Sequence, residues 1–523
     1  MSPAAEASAR HPKGLSTLFF TELWERFSYY GMRAFLVLFM VASPAVGGLG
    51  FSDAHAGMIY GLYTSMVYLL SVPGGWLADR YLGQQRAVLI GGLLIMSGHI
   101  SLAVPAVPTF YLGLCLVAVG TGLLKPNIST LVGRLYEKED GRRDAGFTIF
   151  YMGINLGAFA APLLCGTWLA ESEGFRRWLK DLGLPPSAAW HVAFGAAAVG
   201  MMIGLTQYIL GRGRLGGVGL PPVRPPGPPR TRAVWLILGA GLLLLSVLAL
   251  SSGAFVPSQE SVGKTFDLLL PLISVIALVC IFVVGTDSAQ ERRRMLVVSI
   301  LFGAAAVFWG CFEQAGSTLT LFADRHTDRR IFGLSFGATA YQSLNSLFVV
   351  LLAPLFAGLW VRLGRAGREP TTVAKFGLAM LFVGLGFLIL IPASGALQRG
   401  ELAGPQWLLF LYLLHTCGEL CLSPVGLSAM TRLAPGRTVG VIMGIWFLAT
   451  SLGNYMAGRA VGLTQSMSLG RFFWMMTLVP VSIGVILLVL ARPIRRLMAH
   501  EQVEALVGTS GFLQAYPPKQ GED

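Results

Sequence analysis

Charge is scarce in this chain. Of 523 residues only 12% are Asp, Glu, Lys or Arg, while 54% are hydrophobic. Soluble domains carry about 25% charged residues, so the composition excludes an ordinary globular enzyme or binding module and indicates an integral membrane protein. Acidic residues are fewer than basic ones, 26 against 39, giving a net charge of +13. Also missing are a Gly-x-x-x-x-Gly-Lys-Ser/Thr loop, a Gly-x-Ser-x-Gly elbow, a His-Glu-x-x-His helix and any Ser/His/Asp constellation, which argues against ATP drive and against hydrolytic chemistry. No sizeable soluble output domain is visible, as a receptor would need. No cleavable leader is apparent, because 1–14 is polar and the first apolar run bears charge. The six cysteines all fall within apolar runs, so neither disulfides nor a metal centre are expected.

Long hydrophobic runs are what the chain does have. Windows of about twenty apolar residues give fourteen candidate spans, the first at Leu18–Val41 and the last at Phe472–Leu490. Basic residues decide the orientation. With the N-terminus inside, the inner loops collect clusters such as Arg292, Arg293 and Arg294, Arg362, Arg365 and Arg368, and Arg492, Arg495 and Arg496. The outer loops hold few, among them Arg176, Arg177 and Lys180. The positive-inside rule then places both termini in the cytoplasm, and no nucleic-acid surface is implied.

A Gly-, Pro- and Arg-rich stretch at 211–232 reads as an extended cytoplasmic linker that does not pack. It divides the chain into a polar start at 1–14, six spans at 15–210, two uniformly aliphatic spans at 233–287, six more at 288–492, and a tail at 493–523. The two aliphatic spans, Ala233–Gly253 and Leu268–Val284, suit helices facing lipid. Removing them leaves six plus six, the arithmetic of a transporter built from two related halves. Gly74 to Gly83 and Gly358 to Arg365 echo each other as Gly-rich basic hairpins in corresponding places.

Polar groups interrupt the spans at particular points. On the first helix Glu22, Arg26, Tyr29 and Arg33 share one narrow arc at 100° per residue, with Glu25 and Tyr30 on its flanks. A charge at the bilayer centre costs about 2.5–3.5 kcal/mol, so this stripe should face protein or a water-filled cavity. Lys125-Pro126-Asn127 sits mid-span, and Pro126 predicts a helix broken where it lines a cavity. The second half contributes Glu313, Asn345 and Glu419. Cations are thus buried with acids in the first half, whereas the second half offers mainly carboxylates. A cavity between such halves suits a zwitterion, its carboxylate meeting Arg33 and Lys125 and its ammonium meeting Glu419. Buried carboxylates beside arginine are also candidate proton carriers.

Three stretches give a more specific reading. Glu22-Leu23-Trp24-Glu25-Arg26-Phe27-Ser28-Tyr29-Tyr30-Gly31, Phe150-Tyr151-Met152-Gly153-Ile154-Asn155-Leu156-Gly157 and Gly418-Glu419-Leu420-Cys421-Leu422-Ser423-Pro424 resemble the helix-one, helix-five and helix-ten signatures of the proton-coupled oligopeptide transporters of the major facilitator superfamily. The resemblance covers Thr17 to Ala491 and is of bacterial type. It implies an all-α fold of two six-helix bundles plus two extra helices, and import of di- and tripeptides with protons across the inner membrane. It needs no cofactor and expects a monomer. By carry-over, Glu22, Glu25 and Arg26 act with Lys125 in proton coupling, to which Glu313 contributes, and Arg33 pairs with Glu313 in an outer gate. Tyr29, Tyr30, Tyr68, Asn155, Asn345, Trp446 and Phe447 line the peptide pocket with Arg33 and Lys125, and Glu419 binds the ammonium. Where animal relatives place a histidine on helix two this chain has Gly61, so the carboxylates would carry the proton. Plant relatives that carry nitrate suggest an anion as alternative cargo, but Glu22, Glu25 and Glu419 would repel one; free amino acids are a second alternative.

Overall fold

The computed structural model describes residues 11–137, 140, 142–222, 259–283, 285–331, 333–435 and 439–498. The expected span Ala233–Gly253, the distal linker and the tail beyond 498 lie outside the described residues. The N-terminal half consists of α1 (Gly14–Val41), α2 (Asp53–Leu69), α3 (Gln84–Leu102), α4 (Val107–Arg134), α5 (Arg143–Ala161) and α6 (Ala188–Gly211). After α7 (Gln259–Val283) come α8 (Ala289–Phe312), α9 (Ala340–Arg365), α10 (Thr372–Gln398), α11 (Gln406–Leu433), α12 (Val439–Ser466) and α13 (Leu469–Met498). Among the described residues, eleven helices are long and apolar enough to cross a membrane. The charge stripe keeps α1 out of that set. Apart from one two-residue-strand hairpin, the described residues form an all-α membrane protein.

Side-chain chemistry sets several helix starts. Ser52, Ser288 and Thr371 accept the backbone N–H of His55, Glu291 and Ala374, supplying acceptors for otherwise unpaired amides at the starts of α2, α8 and α10. Within a bilayer, helix association depends on close van der Waals approach rather than on a hydrophobic drive, so small residues sit at crossings. The seam between the halves shows this most clearly. Gly57 and Gly61 of α2 lie against Gly458 of α12. A Cβ on Gly61 would come within 2.8 Å of the Gly458 Cα and 3.0 Å of the Tyr455 carbonyl oxygen, leaving no room for any side chain. One turn further along, the Ser65 and Ser451 hydroxyls meet at 2.7 Å. On the other flank α5 meets α9, where Ser343 donates to the Phe159 carbonyl at 2.8 Å.

Four expectations are corrected. The linker packs in its described part: Arg212–Leu215 forms a short helix, Leu215 is buried, and Gln85 donates to the carbonyls of Gly216 and Val218 at 3.2 and 2.7 Å. Carbonyls aimed at a glutamine replace the side chains that the composition lacks. Secondly, α4 is not broken at Pro126. Asn127 donates its amide to Leu123 O at 2.7 Å, and the carbonyl of Gly122, which loses its i+4 donor to the proline, faces Gly74 of the short Ser71–Leu77 helix. Thirdly, apolar length predicts a span at Leu334–Val361, but its helix begins at Ala340; Leu334–Ser335 instead pairs with Arg330–Ile331 around Gly333, whose φ of +79° suits a tight turn. Lastly, α7 starts nine residues before the predicted Leu268 and carries Asp267, which binds Arg459 of α12 at 2.8 and 2.9 Å. Arg459, a cation within a span of the mainly carboxylate-bearing second half, therefore faces the accessory helix.

Candidate functional site

The helix-one stripe is placed by glycine on its neighbour. Gly157 of α5 lies against the Leu23 carbonyl and the Arg26 Cβ, and Gly153 lies against Phe19, so the first two signatures are the two sides of one crossing. Behind it Glu22, Glu25 and Arg26 are all buried. Arg26 holds Glu25 with two donors, Nε to Oε2 and Nη2 to Oε1 at 2.6 Å, and its Nε also lies 3.3 Å from Glu22 Oε1. The other Glu22 oxygen is buried and has no hydrogen-bond partner among the described residues. The guanidinium stands 5.2 Å over the Tyr29 ring. This trio is thus asymmetric: Glu25 neutralises Arg26, and Glu22 is the loosely held acid.

Lys125 comes to the same region from α4. Its ammonium lies 3.8 Å over the Tyr68 ring, and no carboxylate of the described residues is within ion-pair distance of it. Two turns outward Arg33 crosses the seam. Its guanidinium pairs with Glu313, donates from Nε to the Tyr60 hydroxyl at 2.6 Å and lies 5.6 Å over the Tyr30 ring. Glu313 is 5% exposed, so the carboxylate at the end of α8 is an interior group. Gly316 leaves space for the Tyr60 hydroxyl and the Arg33 Nε, both of which a side chain there would displace.

On the second half Asn345 of α9 donates to Glu419 Oε2 at 2.9 Å and to Thr416 at 3.1 Å. No cation of the described residues pairs with Glu419. The remaining expected pocket residues divide. Tyr29 and Tyr30 meet edge to face at 5.2 Å, and Tyr29 stacks on Tyr63 at 6.4 Å. Asn155 donates to the Tyr151 carbonyl of its own helix. Trp446 is buried within the second bundle against Gly426 and 6.3 Å from the Phe376 ring, while Phe447 beside it is half-buried.

Residues not singled out from the sequence complete the outer rim. Asp53, first residue of α2, takes a two-pronged ion pair from Arg325 at 2.6 and 2.9 Å. Glu171, after α5, accepts from Ala338 N, Thr339 N, the Thr339 hydroxyl and Arg329. Tyr60, Tyr63 and Thr416 belong to the interior network; the i, i+3 and i+8 spacing of Tyr60, Tyr63 and Tyr68 on α2 was the available signal. Among the described residues three ion pairs join the bundles: Asp53–Arg325 and Glu171–Arg329 at the helix ends assigned to the outside, and Arg33–Glu313 deeper in the seam, outward of the helix-one trio. These pairs tie the bundles together on that side.

Two bundles that hold unlike charges along a common seam, with the ion pairs that join them on its outer side, make up a transporter of the major facilitator class. The POT family model matches residues 85–475, and the chain belongs to that family. It is 37% identical to the peptide transporter YePEPT of Yersinia enterocolitica, covering 96% of this chain and 98% of that one, and 37% identical to a di-/tripeptide transporter of Lactococcus lactis, covering 93% and 96%. An uncharacterized transporter, YclF, of Bacillus subtilis is 40% identical over 93% and 95%. Among solved structures, a mutant of peptide transporter POT in complex with alafosfalin superposes with a TM-score of 0.83 at 41% identity, covering 94% of this chain and 96% of that one.

Proposed function

We propose that this chain imports di- and tripeptides together with protons across the cytoplasmic inner membrane, with both termini inside, by alternating access between its two bundles. The observation that carries the reading is the pair of unmatched charges. Among the described residues Lys125 on the first bundle has an aromatic ring and no carboxylate within ion-pair distance, and Glu419 on the second has the Asn345 amide and no cation. A peptide zwitterion supplies both missing partners, its carboxylate to Lys125 and its ammonium to Glu419. An inorganic anion would satisfy only the first. Names of relatives that carry di- and tripeptides support the same cargo.

Proton coupling falls to the loosely held Glu22. With Arg26 already neutralised by Glu25, a proton on Glu22 changes the charge of the cluster from net negative to zero without opening its strongest pair. Arg33 and Glu313 serve as the outer gate. Tyr29, Tyr30, Tyr68, Asn155, Asn345, Trp446 and Phe447 are assigned to the pocket wall or its support. The mechanism requires no cofactor, and one chain contains all these groups.

The test is uptake into proteoliposomes of labelled dialanine, alanine, a tetrapeptide and nitrate, with and without an inward proton gradient. Gradient-dependent accumulation of dialanine alone is expected. Equal accumulation with the gradient collapsed would remove the coupling, and preferential uptake of alanine or nitrate would remove the cargo.

A further inference from the structure

Glu171 stands where the first bundle touches the first residues of α9. Its side chain is 10% exposed, and all four groups of the described residues that donate to it belong to the second half. Oε2 accepts from Ala338 N at 2.6 Å and from Arg329 at 3.3 Å; Oε1 accepts from Thr339 N at 3.0 Å and from the Thr339 hydroxyl at 2.6 Å. Thr339 occupies the N-cap position of α9 but makes no capping bond of its own. The carboxylate that binds this helix start is therefore lent by the opposite bundle. Negative charge there is also favoured by the helix dipole. Close packing supports the contact, since Gly337 lies against the Glu171 carboxyl and the Thr167 Cα, and Gly166 lies against Thr339. Arg329 is shared with Asp324 at 3.4 Å, so the clamp is joined to the segment whose Arg325 binds Asp53.

We propose that Glu171 is a gating residue, a clamp from the first bundle on the N-terminus of α9 that holds the outer face shut and releases it once per cycle. The inference rests on the alternating-access reading. Rocking the bundles apart at the outer rim separates Glu171 from all of its donors in one movement. At the rim water replaces those donors, which makes release reversible, whereas a buried carboxylate would be left unsolvated. The clamp acts on the equilibrium between closed and open outer faces and touches no peptide.

The experiment measures distances between spin labels introduced as unnatural amino acids at Ala45 and Leu402, exposed outer-loop positions of the two halves, in the full-length protein in lipid. E171A and E171Q should each raise the ratio of open to closed outer face by about tenfold or more, the change expected for loss of one charge-assisted hydrogen bond. T339A, which keeps both backbone donors, should shift it less, and T339S should match wild type. Distance distributions for E171A and E171Q that coincide with wild type would overturn the proposal, and so would a loss of thermal stability with no change in the ratio. If wild type fails to take up dialanine while the glutamate variants still open the outer face, the cargo reading fails and the clamp stands.

Discussion

Glu22 and Glu25 share one arginine, yet their replacement by glutamine should have opposite consequences. Arg26 is buried and meets Glu25 with two nitrogens, while Glu22 reaches only the already occupied Nε from 3.3 Å. Removing one partner of a buried ion pair costs about 3–5 kcal/mol. E25Q should fall at the low end, about 3 kcal/mol, because Glu22 remains near the guanidinium. E22Q replaces an unpaired buried oxygen by an unpaired amide and leaves the two-pronged bond intact, so its cost should be about 1 kcal/mol or less. The difference is read as resistance to SDS unfolding in mixed micelles, where about 3 kcal/mol corresponds to a more than hundredfold change in the unfolding constant. In proteoliposomes E22Q should lose gradient-driven dialanine uptake and retain counterflow within about twofold, since counterflow needs no net proton movement and the peptide site is untouched. Loss of counterflow in E22Q, or destabilisation equal to that of E25Q, would refute the division of labour between the two acids.

Two further outcomes follow from the same geometry. E419Q should weaken binding of peptides with a free amino terminus by about 10–100-fold and leave an N-acetylated peptide nearly unaffected, as expected for loss of a charge-assisted bond; equal weakening of both in a binding titration would remove the ammonium role. G61A places a methyl 2.8 Å from the Gly458 Cα, an overpacking that costs about 1–3 kcal/mol, and the same spin-label pair should report a less populated closed outer face, unchanged populations counting against the tight seam.

Apolar length and basic asymmetry made the spans legible, because hydrocarbon thickness and inner-loop charge act on each segment independently. The stripe on α1 was legible for a similar reason: intramembrane charge is costly wherever it sits, so Glu22, Arg26 and Arg33 announce themselves. Long-range pairing was not legible from local patterns. That Glu313 is interior and that Glu171 and Asp53 find donors in the other half depend on how the bundles meet, and at span ends such carboxylates look like ordinary interfacial charge. The linker misled because low side-chain content suggests poor packing, whereas Gly216 and Val218 pack through their carbonyls. Pro126 misled because proline removes one donor, which Asn127 and a close approach by Gly74 accommodate without bending the helix apart.

The bare contact of Gly57 and Gly61 with Gly458 gives the molecule a smooth bearing. Surfaces that interlock through branched side chains must climb over one another to turn, and each notch adds a barrier. Backbone laid on backbone has few notches, so rotation about this line meets little resistance of its own. The work of switching is then concentrated at the ion pairs that tie the bundles and at the interior charges that peptide and proton would meet, and small ligands can steer a large body because its axle contributes almost nothing to the decision.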